Sequence, residues 1–250
     1  MTFLLAILLA TQADKQAEEA ATAAVAACEQ VFTKNKDTNA RTEAINTMAS
    51  TQHEKVLAKL LVYMSDADKG VRLVAVTATQ SFQSATPELK KLANKNLIRS
   101  LEAGVNTKDI EVRIAVAGAL GALGDPSSNT TLKTLLDDKN LKVATAAVNA
   151  CAVMRQKPLL EALMEQQRDC EKTMKASANS SFKAGKKPVS ARKDPNAPAD
   201  PEEVKAERAA MLVTLIPGAV QSLTGQELKT GAEMEAWWAK NRSSFNFPEK

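Results

Sequence analysis

The stretch Val112-Arg113-Ile-Ala-Val-Ala-Gly-Ala-Leu-Gly-Ala-Leu-Gly124 decides the fold of this 250-residue chain, because it recurs. Three further segments align with it without gaps for about a dozen residues. The four segments begin at Ala40, Val71, Val112 and Val143, so their starts are 31, 41 and 31 residues apart. Small and apolar residues return at the same offsets in each, which is typical of a helix with one buried face. Self-similarity at such a period indicates an array of helical repeats.

Each repeated segment leads through a turn into a second amphipathic stretch, which predicts paired helices. These second helices are predicted at Glu54–Met64, Pro87–Leu101, Thr130–Leu136 and Pro158–Met174. Two of them begin at a proline, where proline costs a helix least. Val76, Ala117 and Val148 occupy equivalent positions, which we predict to face inward. Gly118 and Gly121 lie inside a predicted helix, where we expect them to permit close contact between helices.

The segments resemble the HEAT and lyase-type HEAT-like repeats, an armadillo-like helical family. The resemblance is carried by Leu61 through Arg72, by Val112–Gly124 and by Leu135-Leu-Asp-Asp138 through Val143, and it covers about residues 38–176. It implies an all-α fold, an α-solenoid or α–α superhelix of HEAT-like helix pairs. Capping helices are expected at the N-terminal and C-terminal ends.

A ladder between neighbouring repeats is also implied by the resemblance. In the family, an acidic residue six positions before the repeated arginine helps to form it, and Asp66 stands at that spacing from Arg72. Asp138 keeps the acidic place in the fourth repeat, but Ala144 replaces the arginine. The first and third repeats have Asn35 and Thr107 at the acidic position. We therefore expect an incomplete ladder.

The N-terminal residues have a different character. Phe3–Ala10 is an apolar run, followed by Thr11-Gln-Ala13 and then by charged residues. This pattern predicts a secretory signal peptide over residues 1–13 with cleavage after Ala13, although no basic residue precedes the run. The run is too short to span a bilayer. Export would place the protein in the periplasm or outside the cell. The alternatives are a hydrophobic first helix turn on a cytoplasmic protein, or a start codon assigned too far downstream.

The domain limits follow from these patterns. Residues 14–182 are predicted to form the HEAT-like repeat domain, with an alanine-rich helix at 14–33 as its N-terminal cap. Residues 183–203 contain a basic run, then an acidic run, and four prolines, which predicts a flexible charged linker. The alternative for the basic run Lys183–Lys193 is an arm that binds an anionic partner.

Residues 204–250 are predicted to form a helical C-terminal cap that contains Trp237 and Trp238. Thr230 and Glu233 have the spacing of a capping box at the start of its last helix. Adjacent tryptophans point about 100° apart on a helix, so we expect one in the core and the other at an edge. The stretch from Leu223 to the tryptophans resembles the closing segment of some exported bacterial HEAT-repeat proteins.

Residues that carry catalytic chemistry are scarce. The single histidine, His53, is expected in a solvated turn, and the cysteines Cys28, Cys151 and Cys170 are expected as buried or half-buried thiols. We predict no catalytic residue, no metal ligand and no cofactor. A net charge of +4, with 33 basic and 29 acidic residues, is a weak signal for nucleic acid.

Two functions from different classes remain. The first is a non-enzymatic scaffold or adaptor that binds a protein or peptide on the concave surface of the repeats. The alternative is an enzyme on the same architecture, of the DNA glycosylase or bilin-lyase type. A glycosylase would need a basic groove with aromatic side chains to hold a flipped base, and the repeat region offers Phe32, Tyr63 and Phe82.

Overall fold

The computed structural model of the chain describes residues 2–183 and 201–249, and within these ranges it is helical without a strand. The described residues form α1 (Thr2–Lys34), α2 (Thr38–Ala49), α3 (Glu54–Tyr63), α4 (Lys69–Ala78), α5 (Pro87–Glu102), α6 (Gly104–Thr107), α7 (Ile110–Leu123), α8 (Asn129–Leu136), α9 (Leu141–Met154), α10 (Lys157–Lys183), α11 (Pro201–Thr224) and α12 (Gly231–Asn241). Short 3-10 turns follow α4 at Thr79–Ser84 and α7 at Pro126–Ser128. The predicted all-α class is confirmed.

The repeated helices begin at the same kind of residue. Asp37, Asp68, Asp109 and Asn140 are the N-caps of α2, α4, α7 and α9, and each side chain accepts a hydrogen bond from a backbone N–H in the first turn. Such a cap satisfies one of the donors that a helix start leaves without a partner. The caps therefore fix where each repeat's second helix starts.

The chain divides into two compact units, Met1–Ser128 and Asn129–Lys250. In the first unit, α1 packs with α2, α3 with α4, and α5 with α7. The first helices of these pairs contact one another in the order α1, α3, α5, and the second helices in the order α2, α4, α7. Each Val-Arg helix therefore pairs mainly with the helix before it, one place earlier than predicted. We call α2, α4 and α7 the second layer of this unit.

The second unit contains two pairs of the same kind. Helix α8 packs with α9, and α10 packs with α11; the second helices α9 and α11 are also in contact. Helix α12 packs on α10. Helix α11, at the start of the predicted C-terminal cap, is thus the second helix of a further pair, whose two helices are separated in sequence by residues 184–200. Most of the predicted linker lies outside the described residues.

Arg208 on α11 completes the repeat before it. In each of the first three repeats an arginine side chain donates to the backbone carbonyl six residues earlier in the chain. The pairs are Arg41 with Asn35, Arg72 with Asp66, and Arg113 with Thr107. In the fourth repeat the arginine is replaced by Ala144, and the equivalent carbonyl belongs to Asp138. Arg208 donates to that oxygen at 2.8 Å and to the Leu136 oxygen at 2.5 Å. A side chain from the next pair therefore replaces the missing one.

The core confirms the register of the repeats. Val76 and Ala117 in the first unit, and Val148 in the second, are all fully buried, as their equivalent positions predicted. The C-terminal Trp238 is buried while Trp237 is half-buried, which also agrees with the prediction. The capping box of Thr230 and Glu233 is present at the start of α12.

Two helix boundaries differ from expectation. The helix predicted at 14–33 runs from Thr2 to Lys34, so its acidic residues do not lie in the first turn. Pro217 lies inside α11, although proline usually stands at the start of a helix. Ile216 and Val220, both buried, lie on one face on either side of the proline, and this packing keeps the helix continuous despite the lost N–H. No helix in the described ranges is long and apolar enough to cross a membrane.

Candidate protein-binding surface

The repeated arginines of the first unit stitch helices together, and Arg72 shows this most clearly. Its guanidinium donates at 2.9 Å to the Asp66 carbonyl and at 2.8 Å to the carboxylate of Asp109. The predicted pairing of Arg72 with the Asp66 carboxylate is therefore wrong: that carboxylate accepts from the Asp68 N–H. The acidic partner is instead the N-cap of the next repeat. Arg72 is buried, so it is unsuited to binding a partner.

The charged groups around this ladder favour the ionised forms of Asp109 and Lys69. Burial by itself raises the pKa of Asp109, but hydrogen bonds from Arg72 and the Val112 N–H, with the positive charge of Lys69, bring it below its ordinary value. Lys69 lies 2.6 Å from Glu111, and this hydrogen bond raises the pKa of the lysine. The ladder is thus an electrostatic joint between α4 and α7.

The side of the second layer that faces away from the repeated arginines is accessible to solvent. At three equivalent positions, α2, α4 and α7 present side chains that are half-buried or exposed. We call these residues the second-layer face: Thr42, Leu73 and Ile114; Glu43, Val74 and Ala115; Asn46, Thr77 and Gly118. Its members on α4 and α7 are mostly apolar and its members on α2 are polar, a mixture that protein interfaces also show.

Gly118 is the least expected member of this face. It lies in the middle of α7, is exposed, and a Cβ added there would meet no atom within 4 Å. The prediction that Gly118 permits close contact between helices is therefore wrong, whereas Gly121, one turn further along, is buried. A mid-helix glycine costs roughly 0.5–1 kcal/mol relative to alanine. Packing within the described chain does not explain that cost.

The electrostatics of the second-layer face do not suit a nucleic acid. Its one charged member is the carboxylate of Glu43, and the other members are neutral. Binding to a phosphate backbone depends on clustered lysine and arginine. A protein surface with small polar and aliphatic side chains matches this face better.

A groove of about 400 Å³ lies between α1 and α2. Small side chains such as Ala24, Ala27 and Ala44 line much of it, with Glu43 and Thr47 among its polar members. It contains neither His53 nor a pair of cysteines. The groove offers shape and apolar surface rather than chemistry.

The residues singled out for possible chemistry have structural roles. His53 is the N-cap of α3, and its Nδ1 accepts from the Lys55 N–H at 3.1 Å. Cys28, Cys151 and Cys170 are free and buried, as predicted, and burial raises the pKa of each thiol, that of Cys151 to about 12. Thiols held protonated are poor nucleophiles. The described ranges contain no cluster of three or more His, Cys, Asp or Glu residues that could hold a metal.

Three aromatic residues of the first unit are used in packing. Phe32 stacks on Tyr63 with their ring centroids 4.2 Å apart, and Arg41 lies over the Phe32 ring. Phe82 is fully buried. These three aromatic rings are therefore not placed to hold a flipped base.

Comparison with known families agrees with this architecture. Residues 98–183 match the family profile of HEAT repeats. The matched stretch runs from α5 to the end of α10, so this part of the chain is similar to HEAT repeats. No curated protein matches the chain significantly. HEAT repeats are helical arrays that commonly act as protein-interaction scaffolds.

Proposed function

We propose that the protein is a non-enzymatic scaffold that binds a protein or peptide partner through the second-layer face. The observation that carries this proposal is Gly118, which lies exposed in the middle of α7 with open space above it. An exposed helical glycine that internal packing does not require is explained by a partner that approaches the backbone closely. The equivalent residues Asn46 and Thr77 are also short, which keeps the same row accessible on α2 and α4.

Two further features support a protein partner. Leu73, Val74 and Ile114 are partly exposed and offer apolar area for contact without forming a large hydrophobic patch. The charged groups next to this layer, Arg72 and Asp109, are already paired with each other. Recognition would then depend on shape and apolar contact, which suits a helix or an extended peptide.

The enzyme alternative receives no comparable support. A glycosylase would need cations and accessible aromatic rings at one site, whereas the second-layer face has neither. The bilin-lyase alternative rests on likeness of fold, and fold does not carry function.

We further propose that this scaffold works outside the cytoplasm, on the basis of the N-terminal sequence pattern. The apolar run Phe3–Ala10 and the small residues at Thr11 and Ala13 support this proposal.

The test compares two long side chains placed on opposite layers. Gly118→Arg projects from the second-layer face, and the control Val62→Arg replaces an exposed residue of α3, 60% accessible, in the first layer. Both variants should fold, because each site is open. Partners captured by the wild-type chain from its native host are then quantified for each variant. We expect Gly118→Arg to lose them and Val62→Arg to keep them; equal capture by all three chains would contradict the proposal.

A further inference from the structure

The last residue of α9 is followed by an arginine in an unusual backbone conformation. Arg155 caps α9 with φ 52° and ψ 54°, in the left-handed region. The equivalent cap of α7 is Gly124, with φ 69°. Glycine adopts this conformation freely, whereas other L-residues adopt it at a cost. The arginine side chain must therefore contribute something that a glycine could not.

That contribution is a hold on the C-terminal end of the chain. The guanidinium of Arg155 lies over the Phe247 ring, 5.6 Å from its centroid, and donates a hydrogen bond to the carbonyl oxygen of Pro248. A guanidinium over an aromatic face is a favourable cation–π contact. Residues 243–249, which we call the tail, are thus fastened at the end of α9.

The tail also packs against the paired tryptophans of α12. The Phe245 ring meets Trp237 and Trp238 edge-on, with centroids 5.4 and 5.5 Å away, and Phe247 meets Phe245 at 5.0 Å. Trp238 is itself fixed, since its indole Nε1 donates to Glu161 on α10 at 3.1 Å. The rings form one cluster, and α12 and α10 hold the tryptophan part of it in place.

The tail is held unevenly: Phe245 is buried, whereas the residues after it are half-buried or exposed. Beyond Phe245 it has no regular secondary structure, and Asn246, Pro248 and Glu249 are exposed. The Phe247 ring and Trp237 remain half-exposed. Residues 246–249 therefore lie at the surface, where Arg155 holds Phe247 and Pro248.

We propose that Arg155, Trp237 and Trp238 form a docking site for an extended peptide of the type aromatic-x-aromatic-proline, which the tail fills in the free protein. The tail sequence Phe245-Asn-Phe-Pro248 is the observed example of such an occupant. Edge-on ring contacts select the first aromatic residue, and the guanidinium selects the second together with the next carbonyl. Proline limits the freedom that an extended peptide loses on binding.

The tail acts in this scheme as a tethered competitor. A segment joined to its site by a few residues has a high effective concentration there. The apparent affinity for a partner peptide equals the intrinsic affinity multiplied by the fraction of chains whose site is empty. A variant with a weakened tail should therefore bind a free peptide more tightly than the wild type does. This site lies in the second unit and is independent of the second-layer face.

The experiment titrates a fluorescent peptide, Ser-Ser-Phe-Asn-Phe-Pro-Glu, into the full-length chain. Phe247→Ala weakens the tail but leaves the three site residues, and we expect it to bind the peptide at least about tenfold more tightly than the wild type. Adding Arg155→Gly should lower that affinity about tenfold, the size of one lost cation–π and hydrogen-bond contact. Because glycine is preferred at this φ, the second change leaves the helix end intact. A peptide with both phenylalanines replaced by alanine is the control ligand.

Tryptophan fluorescence gives a second reading, since both tryptophans of the chain lie at this site. Quenching by acrylamide should increase in Phe247→Ala and decrease again when the peptide binds. The absence of saturable binding to Phe247→Ala, or binding that Arg155→Gly leaves unchanged, would overturn the docking site. Either result would make the tail a permanent part of the fold.

Discussion

Arg72 and Asp109 join one repeat of the first unit to the next through a nearly buried ion pair. Their guanidinium nitrogen and carboxylate oxygen are 2.8 Å apart, and the side chains are only 9% and 10% exposed. Asp109 also caps α7 through the N–H groups of Glu111 and Val112. The same carboxylate therefore starts one helix and ties it to its neighbour.

Removing either partner of this pair should destabilise the first unit strongly. We expect Asp109→Ala and Arg72→Ala each to lower the free energy of unfolding by about 3–5 kcal/mol, because each leaves a buried charge without its partner. The double variant should cost much less than the sum. Urea denaturation measures all three. Glu111→Ala, which breaks the exposed pair with Lys69, is the control and should cost at most about 1 kcal/mol; a similarly small loss for Asp109→Ala would contradict the prediction.

The acid stability of the protein should depend on Asp109. Its pKa is lowered in the folded chain, so the stability that it contributes is present above its unfolded pKa of about 3.9 and is lost as the pH falls through the lower folded value. Asp109→Asn keeps a capping oxygen but loses the charge. We expect the gap in unfolding free energy between wild type and Asp109→Asn to be constant near neutrality and to close below about pH 4. A gap that stays unchanged down to pH 2.5 would show that the charge has no such role.

The sequence pointed to the correct arginine but to the wrong acid. The spacing typical of the family favoured Asp66. At that spacing Arg72 reaches the backbone carbonyl of Asp66, and its second guanidinium nitrogen donates to Asp109 in the next repeat. The signal that could have found Asp109 was the N-cap. An aspartate or asparagine precedes each repeated helix by the same interval, and side chains at that position start helices.

The further helix pair was missed because α11 lacks the repeated signature. Helix α11 carries no Val-Arg pair, and it is separated from its partner α10 in the sequence by residues 184–200. Its buried residues Leu212, Ile216 and Val220 do show helical spacing, but that spacing does not say which helix lies opposite. Likewise, Gly118 and Gly121 are one turn apart, and only the packing shows that one faces out and the other in.

Arg208 should be important for the second unit although it lies outside the repeated motif. Arg208→Ala removes two charge-assisted hydrogen bonds to the Leu136 and Asp138 carbonyls, and we expect it to cost about 2–3 kcal/mol of unfolding free energy. Lys205→Ala, an exposed change on the same helix, should cost less than about 0.5 kcal/mol. If Arg208 replaces the missing arginine, Ala144→Arg should recover part of the loss in the Arg208→Ala background and destabilise the wild type. An equal effect of Ala144→Arg in both backgrounds would refute this replacement.

Cleavage of the chain after Ala13 should leave the described remainder of α1 folded. Residues 12–20 are exposed, and Ala21 is the first buried residue among those of α1 whose side chains the structure describes. Of the residues that a cut after Ala13 removes, residues 12 and 13 are exposed and contribute nothing to the core. The cut would also place Asp14 and Glu18 in the first turns of the shortened helix, where carboxylates are favourable to the helix dipole. Mass spectrometry of the protein from its native host should find a chain that starts at Asp14, in a fraction outside the cytoplasm. As a control, Ala13→Pro should block cleavage, since signal cleavage sites require a small residue there. Intact Met1 on wild-type protein in the cytoplasm would refute export.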